Sequence, residues 1–255
     1  MREARQVFLD ACQKVAAALE PEGFRWRKST TDLVRKEGEL KFTVRFQSST
    51  RNALSDAKGV TATAKGLFRT SIFADVKRKV EEIYSFGSVA FIAQVAVEDQ
   101  RIEKWRKSLS RPVSVGAVVA STNIGYLAAQ NTWLDVNLAS PRSRDKRIRE
   151  LIQLVRDAGF PYFAQFRRPR QIVEGLTKQS LQGMLEFGEV EYAVFYGSRE
   201  IGRRVIERCL RQWPGSDQEY EAAVGEYRAT GIPEWWDSKA GARLAKAAML
   251  LGIEP

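Results

Sequence analysis

The stretch that decides the fold runs from Trp133 to Leu176 and reads WLDVNLASPRSRDKRIRELIQLVRDAGFPYFAQFRRPRQIVEGL. Its first six residues, 133–138, alternate apolar and polar side chains, which predicts a strand with one buried face. After the break at Pro141 and a predicted N-cap at Ser143, apolar residues recur at i, i+3, i+4 and i+7 and predict an amphipathic helix. They are Ile148, Leu151, Ile152 and Val155. We expect Gly159 and Pro161 to end this helix and a second helix to span 171–184.

The same stretch holds the densest basic cluster of the chain. Residues 142–170 contain nine Arg and Lys against three Asp and Glu, an excess of +6. Such an excess is typical of a surface that binds an acidic partner, and equally of a solvated helix face that keeps a protein soluble. The residues predicted to bind a partner, through bidentate contacts to carboxylates or phosphates, are Arg144, Arg147, Arg149, Arg167, Arg168 and Arg170.

The order of apolar patterns predicts an α+β fold, with an antiparallel sheet covered on one face by helices and a helical C-terminal region. An amphipathic helix is expected over 2–19, three short strands over 24–47, the last at 40–47, and further strands at 60–65, 89–97 and 113–120. Residues 98–112 are a charged excursion that fits a short helix, and residues 72–84 fit either a helix or a strand. The sheet residues expected to be buried are Phe42, Val44, Phe46, Leu134 and Val136.

The C-terminal part is predicted to be helical. Residues 202–213 have an apolar face, with Arg204, Arg208 and Arg211 on the opposite side, and two terminal helices are expected at 218–228 and 238–251. We predict an α+β domain over 1–213 and a helical appendage over 214–255 that packs on it, with Trp235 and Trp236 packed against the body of the protein.

Composition bounds the class of protein. The chain has 255 residues and a formal net charge of +10, which favours a polyanion or an acidic protein as partner. Cys12 and Cys209 lie on predicted apolar helix faces, so they are expected to be core residues in a reducing compartment. No secretory signal or membrane-spanning run is recognisable, so the predicted location is the cytoplasm.

The chain contains no histidine, which limits the catalytic mechanisms that it could use. This excludes Ser-His-Asp and Cys-His nucleophile systems and nearly all catalytic zinc sites. Asp32, Glu39 and Lys41 resemble the Asp…Glu-x-Lys metal site of restriction-like nucleases, but the Asp-to-Glu spacing is short and alternating charges are ordinary on a surface hairpin. We therefore predict no enzyme activity, no cofactor and no metal.

Several local features resemble the bacterial domain-of-unknown-function family 4304. They are Gly23-Phe24, the charged hairpin that follows, the strand end Phe46-Gln47-Ser48, and Gly159-Phe160-Pro161 before a phenylalanine-containing segment. The resemblance covers about residues 1–210, whereas the insertion at 98–112 and the tryptophan-containing tail depart from it. It implies a presumed immunity protein of a bacterial toxin system and supplies no catalytic residues.

Two functions follow from these observations. The first is a non-catalytic protein-binding module of the immunity or antitoxin type, which binds an acidic partner such as a toxin through the basic face. The alternative is a nucleic-acid-binding protein that uses the same arginines, with Tyr162, Phe163 and Phe166 as accessible aromatic side chains for base stacking.

Overall fold

The computed structural model of the chain describes residues 2–49, 53–54, 86–128 and 131–253. The helices in these residues are α1 (Arg2–Leu19), α2 (Gln100–Ser108), α3 (Pro141–Leu154), α4 (Phe160–Gln165), α5 (Pro169–Leu176), α6 (Glu186–Tyr196), α7 (Arg199–Gln212), α8 (Ser216–Thr230) and α9 (Ala240–Leu250). The strands are β1 (Arg25–Arg27), β2 (Asp32–Glu37), β3 (Leu40–Gln47), β4 (Ala53–Leu54), β5 (Gly87–Ser88), β6 (Ala90–Asp99), β7 (Val118–Asn123) and β8 (Val136–Asn137). The predictions for 60–65 and 72–84 lie outside the described residues.

The main sheet has the strand order β1-β2-β3-β6-β7, and β8 pairs with β6 away from this path. In the antiparallel pairs β1–β2 and β6–β8, Trp26 lies opposite Leu33 and Phe91 opposite Val136. The predicted α+β fold with an antiparallel sheet is confirmed, as are the bounds of α1 and β3. β6 lies inside the strand order and is largely buried along its length, as its apolar character on both faces predicts.

The chain divides into two compact units, and the boundaries between them fall inside β2, β3, β6, β7 and α4. Unit 1 comprises residues 1–35, 43–95 and 123–160, and unit 2 comprises 36–42, 96–122 and 161–255. Residues 161–255 thus belong to one unit. The predicted division at residue 213 into a domain and an appendage stays a prediction.

In unit 1, α1 packs its apolar face on the sheet. The ring of Phe8 lies 5.3 Å from that of Phe91, which in turn lies 5.0 Å from the ring of Phe46. Val44 and Phe46 are buried as predicted, and so is Cys12, whose burial raises the pKa of its thiol to about 12. The thiol is therefore a small apolar core group at neutral pH.

In unit 2, aromatic side chains in α4 and directly after it form the core. Phe163 packs on Phe42 at 5.0 Å between ring centroids, and Phe166 meets Tyr192 of α6 edge to face. Tyr162 is also buried, and its hydroxyl donates a hydrogen bond of 2.6 Å to the carbonyl of Gln182. Tyr162, Phe163 and Phe166 are thus all buried, and the prediction that they are accessible for base stacking is wrong.

Two predicted strands are displaced or shortened. Instead of 113–120, the strand is β7 at 118–123, because Gly116 takes a positive φ of 76° that interrupts an extended run. Instead of 133–138, only β8 at 136–137 is a strand, and Leu134 and Val136 are half-buried rather than buried. The backbone of Leu134 is bonded to the side chain of Asn123 and not to a neighbouring strand.

Three predicted helix boundaries are also wrong. Ser140, not Ser143, is the N-cap of α3, and Pro141 occupies the first turn. Gly159 does not end the helix, because a single π-helical turn at Val155–Gly159 connects α3 to α4. Pro161 then falls in the first turn of α4, where its missing N–H costs little. The helix predicted over 171–184 is α5, which ends at Leu176.

Two side chains of the C-terminal half, Trp235 and Arg208, differ from prediction. Trp235 is 74% exposed rather than packed, whereas Trp236 is half-buried and stacks on Phe187 at 4.5 Å between ring centroids. Arg208, predicted on the exposed face of its helix, is buried. The reason lies in α6, which buries the carboxylates of Glu189 and Glu191.

The buried glutamates of α6 each bind a buried arginine. The Arg106 guanidinium donates to Glu191 at 2.5 Å, and that of Arg208 donates to Glu189. Glu189 also accepts a hydrogen bond of 2.7 Å from the backbone N–H of Leu181. A buried carboxylate without a cation would carry a large desolvation cost at either position. The burial of Glu189 and Glu191 therefore requires the two arginines.

Substitution of Arg208 tests whether the buried Glu189 carboxylate requires its cation. We expect Arg208→Ala to lower the free energy of unfolding by about 3–5 kcal/mol near neutral pH, because the Glu189 carboxylate stays buried without its cation. Burial already raises the pKa of Glu189, and loss of the arginine raises it further, so the folded variant holds a proton more tightly than its unfolded chain. The loss of unfolding free energy in Arg208→Ala should therefore become smaller as the pH falls through the raised pKa of Glu189. Urea unfolding of both proteins at about pH 7 and about pH 5 measures this change.

The matched control is Arg211→Ala in the same helix, where the side chain is exposed. Its unfolding free energy should stay within about 0.5 kcal/mol of wild type at both pH values. A loss in Arg208→Ala that does not change with pH would contradict an origin in the unpaired carboxylate.

Candidate protein-binding surface

The three predicted binding arginines of unit 1 lie on α3 and differ in what they contact. Arg144 donates through Nε and Nη2 to the carbonyls of Leu138 and Ala139, at 2.8 and 3.0 Å. Arg147 donates to the carbonyl of Asn137. These two guanidinium groups hold the segment before α3, while Arg149 is exposed to solvent.

The three predicted binding arginines of unit 2 differ in the same way. Arg167 forms a bidentate ion pair with Glu37, with N–O distances of 2.7 and 2.8 Å. Arg168 and Arg170 are exposed, and neither side chain has a hydrogen-bond or ion-pair partner among the described residues. The predicted basic face is thus divided between arginines that stabilise the fold and arginines that are free to bind.

A buried asparagine shapes a groove beside α3. The Asn123 side chain accepts hydrogen bonds from the N–H groups of Gly125 and Leu134, at 2.8 and 2.9 Å, and donates one of 3.0 Å to the Leu134 carbonyl. It thereby fixes the segment around Leu134 against the turn at Gly125. A Cβ on Gly125 would lie 2.7 Å from the Leu134 Cβ and would also clash with the Thr132 carbonyl oxygen. Glycine is required there because two backbone segments approach closely.

The groove encloses about 380 Å³. One wall is a face of α3 in which the lining residues recur at i, i+3, i+4 and i+7, and the other wall is the segment fixed by Asn123. The residues that define it are Leu134, Val136, Arg147, Glu150, Leu151 and Leu154. Four of these six are apolar, so the groove suits an aliphatic or aromatic side chain, with one cation and one carboxylate at its edge.

A second stripe of α3 is cationic and exposed. Arg142, Lys146 and Arg149 recur at i, i+4 and i+7, and the Lys146 ammonium lies 3.7 Å from the Glu150 carboxylate. The Lys14 ammonium donates a hydrogen bond of 2.6 Å to Asp145, which lowers the pKa of that carboxyl, and the charges of Arg149 and Arg144 lower it further. Over 141–154, five cations face two carboxylates, so a net charge of +3 lies along this helix.

Two exposed aromatic side chains adjoin residues that line the groove. Trp133 is 50% exposed and Tyr126 is 37% exposed, and their rings meet edge to face at 6.2 Å between centroids. Each is the chain neighbour of a lining residue, Leu134 and Gly125 respectively. Exposed tryptophan and tyrosine beside an apolar groove are typical of side chains that anchor a protein interface.

The residues of the nuclease-like pattern bind other side chains. Asp32 accepts a hydrogen bond of 3.1 Å from Arg45 and Glu39 binds Lys104, while the Lys41 ammonium lies 2.6 Å from the Glu98 carboxylate. Within the described residues, no group of three or more His, Cys, Asp or Glu side chains could hold a metal ion. None of the described helices has both the length and the apolar content needed to cross a membrane.

Sequence reasoning missed the groove because it placed Leu134 and Val136 in the core. The available signal was Asn123-Ile124-Gly125, since an Asn followed two residues later by a glycine is typical of a turn in which the Asn side chain binds the backbone. Which distant segment completes that turn is not visible in the sequence.

Gly125 tests how the groove is built. We expect Gly125→Ala to lower the free energy of unfolding by about 2 kcal/mol or more, because the methyl group would push the segment around Leu134 away from Asn123. The control is Gly188→Ala in α6, where a Cβ meets no atom within 4 Å. The higher helix propensity of alanine should raise the free energy of unfolding there by at most about 1 kcal/mol. Urea unfolding measures both, and a Gly125→Ala protein as stable as wild type would rule out this packing.

Comparison of the chain with known proteins finds no matching family model, no matching curated protein and no matching solved structure. The resemblance to family 4304 therefore stays a prediction from the sequence.

Proposed function

We propose that the chain is a non-catalytic protein-binding module whose partner presents an apolar side chain flanked by carboxylates. The observation that carries the proposal is the apolar groove of unit 1, which lies along the same helix as the exposed cations Arg142, Lys146 and Arg149. An apolar anchor supplies binding energy, and complementary charge supplies association rate and selectivity.

The composition of this surface supports a protein partner over a small molecule. The groove is open on one side of α3, exposed aromatic side chains adjoin it, and a charged stripe continues past it. This combination of an apolar centre with a polar, charged rim is the ordinary anatomy of a protein interface.

The class of partner rests on the resemblance to family 4304. An immunity or antitoxin protein of a bacterial toxin or defence system has to present a shaped, complementary surface and needs no catalytic group. The net charge of +10 indicates that such a toxin is acidic at its contact surface. The cytoplasm is the proposed compartment, in keeping with two buried free thiols.

Reversal of the exposed charges tests the proposal. We expect Arg142→Glu/Arg149→Glu to bind an acidic partner at least about tenfold more weakly, because like charges then meet across the interface. The control is Arg5→Glu/Arg211→Glu, which makes the same change in net charge at exposed positions outside the surface. The measurement is affinity capture from the organism that encodes the chain, followed by titration of the captured protein against all three forms.

The decisive result is one acidic protein that wild type and control both bind and that the α3 variant loses. If all three proteins capture the same partners with equal affinity, the cationic stripe is only a solvated helix face.

Trp133 gives a second test that does not change charge. We expect Trp133→Ala to weaken binding of the same partner by about 2 kcal/mol, which corresponds to about thirtyfold, because a half-exposed aromatic ring beside the groove would be covered in the complex. Trp213→Ala is the matched control, since Trp213 is also about half exposed but lies at the end of α7 in unit 2. Equal affinities for the two variants would place the partner elsewhere.

A further inference from the structure

A separate pocket lies in unit 2, between the end of α4, helix α5 and the turn that follows it. It encloses about 250 Å³. The side chains that give it its chemistry are Gln165, Gln171 and Gln179, with Ser180, Ile172 and Leu176. Among the residues that the structure describes, no charged side chain lines this pocket, and no residue that lines the groove of unit 1 contributes to it.

The far wall of this pocket is held by the buried pair of α6 and α7. Arg208 donates through Nε to the Leu176 carbonyl at 3.0 Å and through Nη1 to the Ser180 hydroxyl, while Glu189 accepts from the Leu181 N–H. Two buried charges thus fix the backbone and the hydroxyl that line the pocket. A wall that is held by satisfied buried groups is preorganised for a ligand.

The three carboxamide groups define the ligand's polar edge. Each carries donors and an acceptor in one plane, which pair with a planar group that alternates donors and acceptors along its rim. Ile172 and Leu176 offer apolar surface to the faces of such a ring. A nucleobase has both properties, and its size suits the pocket.

An exposed arginine adjoins two of the residues that line the pocket. Arg168 lies in the turn between them, since its N–H donates to the Gln165 carbonyl at 3.0 Å and its carbonyl accepts from the Gln171 N–H at 3.0 Å. The Arg168 guanidinium group is exposed, without a side-chain partner among the described residues. The donor fork of an arginine matches the oxygens of a phosphate group.

We propose that this pocket binds a nucleotide, with the base against the glutamine carboxamides and the phosphate at Arg168. The nucleotide is either free or a unit of a single-stranded nucleic acid, because both present the same base and phosphate. This binding is independent of the protein-binding surface proposed for unit 1.

Gly175 allows the pocket to be filled without disturbing the fold. It lines the pocket in α5, and a Cβ there meets no atom within 4 Å. Gly175→Leu should therefore occupy the space of the ligand while adding helix propensity. Gly225→Leu in α8, where a Cβ also meets no atom within 4 Å and no pocket residue is involved, is the matched control.

The experiment titrates wild type and both variants, at low salt, with the four ribonucleoside 5′-monophosphates and with a fluorescein-labelled single-stranded oligonucleotide of mixed sequence. We expect saturable binding by wild type with a Kd below about 1 mM, lost at least about tenfold in Gly175→Leu and kept in Gly225→Leu. Arg168→Glu should lose binding of the phosphorylated probes more than binding of the corresponding nucleoside.

The two probes separate the sources of the ligand. Binding of monophosphates indicates a free nucleotide, and binding of the oligonucleotide alone, still blocked by Gly175→Leu, indicates a single strand. The proposal is overturned if no probe binds, or if Gly175→Leu binds as well as wild type while thermal unfolding shows both variants folded. Capture of a protein partner through α3 is unaffected by either result.

Discussion

Unit 2 depends on the burial of two carboxylates on one helix. Glu189 and Glu191 of α6 lie in the interior, and each is neutralised by an arginine from another element, Arg208 of the next helix α7 and Arg106 of α2. A buried charge that lost its counterion would cost several kcal/mol, so these elements have to be in place together. The two pairs link segments that hydrophobic burial alone would position less specifically.

Both arginines also donate hydrogen bonds to backbone carbonyls. Arg106 donates to the carbonyls of Gly116 and Val118, which fixes the approach to β7, and Arg208 donates to the carbonyl of Leu176, which fixes the end of α5. An arginine can do this because it carries five donors in a rigid fork, whereas a lysine would satisfy fewer groups. The pocket beside α5 is thus a consequence of how a buried charge is satisfied.

Unit 1 uses a neutral side chain for a similar purpose. Asn123 occupies the backbone groups of Leu134, so this segment does not extend the sheet and its apolar side chains stay half-buried. The groove beside α3 exists because Leu134 and Val136 are not buried in the core. Arg144 and Arg147 stabilise the adjoining backbone, which leaves Arg142, Lys146 and Arg149 as the exposed cations of the helix.

The sequence by itself determined the α+β class, helix α1, strand β3 and the central character of β6. Each of these follows from a local period of apolar residues that burial on one or two faces imposes. The excess of positive charge over 142–170 was equally visible in the sequence. Tertiary structure alone decided that Arg208 is buried, that Arg144 and Arg167 bind within the protein, and that Leu134 lines a groove. In each case the group that decides the outcome is a glutamate, a carbonyl or an asparagine. It lies elsewhere in the chain, or in a turn whose closure depends on packing. The periodicity of side chains carries no information about which of these groups satisfies a hydrogen bond or a charge.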